Sequence, residues 1–260
     1  LDALEAFFDE HQISRSAAKP AQSDATAGAP PASVPSTRAP EVVEQVLEKL
    51  NTLSRTAETL EAFIYAFLST NSYDTTAARE TSKLEMRFAR LKKLSVRLRG
   101  WIGGQAEALP AWLASRPALA DYAYFLHDAV RQSRYLMTEE LESLAADLCL
   151  DGGAAFGRLQ GNVTSQLKVP FERGDQTEWL PITVVRNLCF DRDPQVRERG
   201  YRAELAGWES IRTTVAACLN GVKGTAHTLA KRRGRESVLA AALDDNRIDQ
   251  ATLDAMLGAI

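Results

Sequence analysis

Three histidines, His11, His127 and His227, are the first residues to test for chemistry, and they stand far apart along 260 residues. Zinc peptidase chemistry would need His-Glu-x-x-His, which sets two imidazoles on one helix face with a carboxylate beside them as base. The sequence does not contain it. Cys218 with His227 would be a pair nine positions apart, and such positions do not share a helix face. There is no phosphate-cradling Gly-x-x-x-x-Gly-Lys-Ser, no Gly-x-Gly-x-x-Gly after a strand and no Gly-x-Ser-x-Gly. The residues therefore nominate no catalytic residue and no metal ligand, and they leave substrate-binding positions unassigned. His127 reads as a surface or partly buried side chain, and His227 as packing.

Charged clusters have structural explanations as well. Glu139-Glu140 and Asp244-Asp245 sit at helix ends, where capping or solvation accounts for them. Arg87, Arg90, Lys92, Lys93, Arg97 and Arg99 spread around one helix that also carries Glu80 and Glu85, which reads as a solvated face rather than a nucleic-acid surface. Lys231-Arg232-Arg233 and Arg235 fall at a helix C-terminus, where cations complement the dipole and Gly234 is a natural C′ residue. A carboxylate or phosphate site is the other reading of that cluster.

The elements that must position these groups are almost all helical. Apolar residues recur at three to four positions from Val43 to Phe67 and again from Leu84 to Leu98, predicting long helices over about 41–69 and 75–100. The polar break Ser69–Asp74 between them is short, so the pair should pack as an antiparallel helical hairpin. Pro117 opens a helix to about 136, and Thr138 caps one running through Leu141, Leu144 and Leu148. Leu167, Val169 and Phe171 alternate with polar or proline positions. A turn follows, and Thr177–Leu180 returns as a β-hairpin. Asp193-Pro194 is a strong start signal for a helix over 194–232. Ser237 and Asp249 start two more. The fold class is all-α with one small β-hairpin: a long antiparallel helical hairpin followed by a helical lobe.

Organisation along the chain follows composition. Residues 1–40 combine a short helix with an Ala/Pro-rich stretch, holding five of the ten prolines, that reads as a flexible linker. Residues 41–136 form the hairpin lobe and 137–260 a helical lobe with the β-hairpin. Net charge is −3, which argues against a nucleic-acid or acidic-membrane partner. No apolar run reaches the ~18–20 residues of a membrane span. Cys149, Cys189 and Cys218 sit among apolar neighbours with no disulfide spacing. They read as buried thiols in a reducing compartment, so a cytoplasmic location is expected.

From Met137 onward the sequence resembles a known family. Met137-Thr-Glu-Glu-Leu-Glu-Ser-Leu-Ala-Ala-Asp-Leu, Ala154-Ala-Phe-Gly-Arg-Leu and Thr164-Ser-Gln-Leu-Lys-Val are similar to oligoendopeptidase F and its relatives, which include thimet oligopeptidase. Asp193-Pro-Gln-Val-Arg-Glu-Arg, Thr228-Leu-Ala-Lys, Arg233-Gly and Asn246-Arg-Ile-Asp continue the likeness. Arg233-Gly-Arg departs from the Arg-Gly-Tyr common in that family, and the Ala/Pro-rich insertion is a second departure. The resemblance implies a mostly helical enzyme whose internal channel admits short peptides, with a zinc ion activating water for hydrolysis. It also implies that the His-Glu-x-x-His segment lies C-terminal to the part resembled here. The expectation is an N-terminal region forming channel wall, with zinc in the full-length family member and none in this chain. Its partner would be an oligopeptide substrate, met together with a C-terminal catalytic domain. The 260 residues alone are expected to be inactive. A non-catalytic helical interaction or scaffold module is the alternative.

Overall fold

The computed structural model describes residues 1–14 and 38–259. Most of the expected Ala/Pro-rich linker lies outside the described residues. The chain divides into two compact units. One comprises residues 1–66, 75–147 and 230–260, and the other residues 67–74 and 148–229.

The first unit is built on two long helices, α2 (Ala39–Thr70) and α3 (Thr75–Gly104). Leu60 and Leu84 line one cavity near their connection, and Leu47 and Leu98 line another farther from it, so the helices run antiparallel as expected. Helix α1 (Asp2–Glu10) joins them. Its Phe8, with Ile13 just beyond it, is fully buried with Val43, Val46, Leu98 and Ile102. Gln12 ends α1 at φ 50°, its N–H bonding the Asp9 carbonyl while that of Ile13 reaches the Phe8 carbonyl. This paired C-terminal cap delivers Ile13 into the core.

Helix α4 (Leu109–Ser115) follows, with Pro110 in its first turn, where a missing N–H costs nothing. The helix expected from Pro117 to 136 is instead a tight 3₁₀ turn, Pro117–Tyr122, followed by α5 (Ala123–Ser133). Gly103 lies so close to Ser133 that a Cβ there would sit 2.1 Å from the hydroxyl oxygen.

Helix α6 (Glu139–Cys149) starts where Thr138 Oγ1 accepts the Leu141 N–H. Its core side differs from expectation. Leu141, Leu144 and Leu148 are exposed, while Glu142, Ala145 and Ala146 are buried. The C-terminal part of this unit holds α10 (Val238–Asn246) and α11 (Gln250–Gly258). Ser237 Oγ accepts the Ala240 N–H and Asp249 Oδ1 accepts the Thr252 N–H, so both start signals read from sequence are in use.

The second unit contains α7 (Ala155–Ser165), the antiparallel pair β1 (Lys168–Arg173) and β2 (Gln176–Pro181), α8 (Ile182–Asn187) and most of α9 (Pro194–Arg232). Gly174, at φ 64°, opens the two-residue hairpin loop, where an ordinary side chain would be strained. Val169, Ile182 and Val185 form a small core, with Leu167, Leu180, Ala203 and Trp208 packed on it. The inner side of α9 sets small residues beside Trp208. A Cβ on Gly207 would lie 2.4 Å from Val169 Cγ1, and one on Gly221 would lie 2.2 Å from the Phe156 ring. Bulky residues of the same helix face outward: Tyr201, Leu205, Leu219 and Val222 are between 40% and 60% exposed.

Candidate functional site

The first unit holds a cavity of about 560 Å³ lined by parts of α3, α5, α6, α10 and the segments that end α9 and α10. Its walls are set by ion pairs. Glu142, which is 3% exposed, occupies the small-residue stripe of α6. Arg233 donates to it twice, Nε to Oε1 at 2.9 Å and Nη2 to Oε2 at 2.6 Å, and the Met137 N–H adds a third bond at 3.2 Å. Removing a carboxylate from water is costly unless its lone pairs are met, and here they are.

Two residues on, Arg235 donates to Asp244 and to the Gln132 side chain, with its guanidinium stacked 3.8 Å from the centre of the Tyr135 ring. Gly234 makes the change of direction between the two arginines. At φ 68° its N–H bonds the Lys231 carbonyl, and the Arg235 N–H reaches back to Ala230. The expected C-terminal cap is therefore present, but Arg233 and Arg235 serve carboxylates distant in sequence rather than the helix dipole alone. Asp244 also receives Arg131. Burial raises the Asp244 pKa, and hydrogen bonds from Arg131, Arg235 and Gln132 outweigh burial, leaving it below the usual carboxylate range.

The basic face of α3 is largely engaged too. Arg90 binds Glu5 through Nε at 3.1 Å and Nη2 at 2.6 Å, and reaches Asp2. The hydrogen bond from Arg90, with its charge, lowers the Asp2 pKa. Arg97 donates to Asp9 and to the Ile13 carbonyl, and Lys93 to Asp147. These cations hold α1 and α6 in place, so the solvated-face reading applies to only part of the cluster. Lys92 and Arg99 instead line the cavity.

The histidines do not converge. His11 packs against Phe7 with the rings tilted and 4.2 Å between their centres, while His127 and His227 are exposed. His227 is thus not the packing residue the sequence suggested. Cys218 is buried, Cys149 half-buried and Cys189 exposed, the last because it lies on a short turn, Leu188–Phe190, after α8. Among the described residues no three His, Cys, Asp or Glu side chains are grouped to hold a metal ion. The donor set therefore does not fit a zinc ion. No helix among the described residues is long and apolar enough to cross a membrane.

Glu142 is the buried carboxylate that the sequence reading does not single out. Its signal was an acid at i with alanines at i+3 and i+4, a polar group inside a small-residue stripe.

Residues 105–168 match the family model described as oligopeptidase F. The fold is similar to the crystal structure of oligoendopeptidase-F from Enterococcus faecium, with a TM-score of 0.69 at 18% identity over 83% of this chain and 43% of that one. It is also similar to a putative peptidase from Chlamydophila abortus, with a TM-score of 0.57 at 18% identity over 85% of this chain and 37% of that one. The chain thus spans less than half the length of either structure. No curated protein matches it. The resemblance to oligoendopeptidase F read from the sequence stands, as does the mostly helical fold class.

Proposed function

We propose that this chain is the N-terminal region of an oligoendopeptidase F-like zinc metallopeptidase that hydrolyses short peptides, and that it forms part of an internal channel wall. The observation that carries this reading is the fold likeness to the Enterococcus faecium enzyme, which extends over 83% of this chain but only 43% of that one. Zinc and the water-activating base would come from residues outside those described here, since the donors present do not fit the ion. Exposed apolar side chains agree with a missing covering part: Tyr201, Leu205, Leu219 and Val222 on α9, and Met256 and Leu257 on α11. In this reading the chain works in the cytoplasm on oligopeptides, without nucleic-acid or membrane partners.

The test uses a quenched fluorescent heptapeptide and a zinc-binding assay. The 260-residue chain should neither cleave the peptide nor bind one equivalent of zinc. A chain extended along its natural reading frame into a His-Glu-x-x-His segment should do both, with cleavage abolished by chelator. Chelator-sensitive cleavage by the 260 residues, or a natural frame that never reaches the motif, would overturn the proposal.

A further inference from the structure

The ion pairs around the 560 Å³ cavity leave a remainder. Five cationic and four acidic side chains line it. Arg233 is committed to Glu142, Arg235 to Asp244, and Asp128 to Arg131. Lys92, Arg99, Arg247 and Asp245 have no ion partner among the described residues, so the cavity wall presents three free cations and one free carboxylate. Lys92 and Arg99 are seven positions apart on α3 and so share a face of that helix. Arg247 ends α10 at φ 56°, the left-handed region where glycine is the unstrained choice. It nevertheless carries a cationic side chain to the cavity, with its guanidinium 5.3 Å from the centre of the Tyr124 ring.

We propose that this cavity binds the free C-terminal carboxylate of a short peptide, with Lys92, Arg99 and Arg247 receiving the anion and Asp245 accepting a backbone N–H of the same ligand. The substrate class rests on the peptidase reading above. Several features favour a peptide end. A volume of this size lies within the usual range for a bound small ligand. The unpaired groups of the wall, three cations against Asp245, leave a positive remainder, which suits an anionic group. Guanidinium and ammonium groups make their strongest hydrogen bonds to carboxylate or phosphate oxygens. The unpaired Asp245 would repel a bare anion yet complements a ligand that offers an N–H beside its negative end.

The experiment is calorimetric titration of the full 260-residue chain with tetra-alanine, with its C-terminal amide, and with inorganic phosphate. The free acid should bind at least about tenfold more tightly than the amide and than phosphate. Lys92→Gln, Arg99→Gln and Arg247→Gly should each weaken the free acid several-fold and together remove detectable binding. All three positions are exposed, and glycine is the unstrained residue at position 247, so the variants should keep the wild-type unfolding midpoint. Equal binding of acid and amide, tighter binding of phosphate, no binding of the acid, or an unaffected triple variant would each overturn the proposal. The readout is binding without cleavage, so its failure leaves the peptidase reading untouched. Loss of that reading through the cleavage assay would equally leave these titrations interpretable.

Discussion

The Arg233 guanidinium clasps the Glu142 carboxylate through two parallel bonds of 2.9 and 2.6 Å, across 91 residues of sequence. Glu142 is almost fully enclosed, while Arg233 keeps part of its surface in water. Removing the arginine would leave an enclosed charge without its partner. Arg233→Ala should therefore lower the stability of the chain by about 3 kcal/mol in urea unfolding, the usual scale for breaking a buried pair. Arg233→Lys should recover little, because a point charge cannot replace the two-pronged donor. A loss under about 0.5 kcal/mol for the alanine variant, the scale of an exposed pair, would show the pair to be a surface contact.

The neighbouring carboxylate gives a pH dependence. The folded-state pKa of Asp244 is depressed, with the hydrogen bonds from Arg131, Arg235 and Gln132 exceeding the opposing effect of burial. A depressed carboxylate stabilises the folded state above its unfolded value, near 3.9 for aspartate, and that contribution is lost as pH falls through the folded value. Unfolding midpoints measured from pH 6 downward should drop below about pH 4 in the wild-type chain. Asp244→Asn should begin less stable at pH 6 and show a shallower decline. Parallel pH curves for the two proteins would refute this linkage.

Helix α1 is part of the core rather than an appendage. Phe8 is fully buried, and Asp2, Glu5 and Asp9 hold Arg90 and Arg97. Phe8→Ala should cost about 3–4 kcal/mol, the range for emptying a buried aromatic site. An unfolding midpoint equal to wild type would mean that α1 undocks freely in solution.

Two glycines of α9 should respond oppositely to the same substitution. Gly207→Ala places a methyl 2.4 Å from Val169 Cγ1 and should destabilise by about 1–3 kcal/mol despite the better helix former. A Cβ on Gly224 would meet nothing outside its own stretch of helix within 4 Å, so Gly224→Ala should stabilise by up to about 1 kcal/mol. Thermal unfolding of the two variants checks both signs. A stabilised Gly207→Ala protein would mean that β1 and α9 are less closely packed than described.

These cases show what was readable from the sequence. Local signals served well: Asp193-Pro194, Ser237, Asp249 and the β-hairpin alternation each depend on a few adjacent residues, and each is in use. Core assignment on α6 went astray because periodicity reports which residues share a face, not which face is covered. On α6 the leucine stripe is outside and Glu142-Ala145-Ala146 inside, and α9 packs its glycines inward. The cavity was illegible for another reason. Its lining comes from α3, α5, α6 and the ends of α9 and α10, and no sequence window joins Lys92, Glu142 and Arg247.

The glycine stripe of α9 has a bearing on the order in which the second unit forms. Glycines at 200, 207 and 221 each weaken an isolated helix by roughly 1 kcal/mol relative to alanine. What they gain in return exists only after Leu188 is in position to meet Gly200, Val169 and Ile182 to meet Gly207, and Phe156 to meet Gly221. The longest helix among the described residues is therefore ill suited to nucleate its own surroundings. It should consolidate on a hairpin already paired, with the small structure serving as template for the large one.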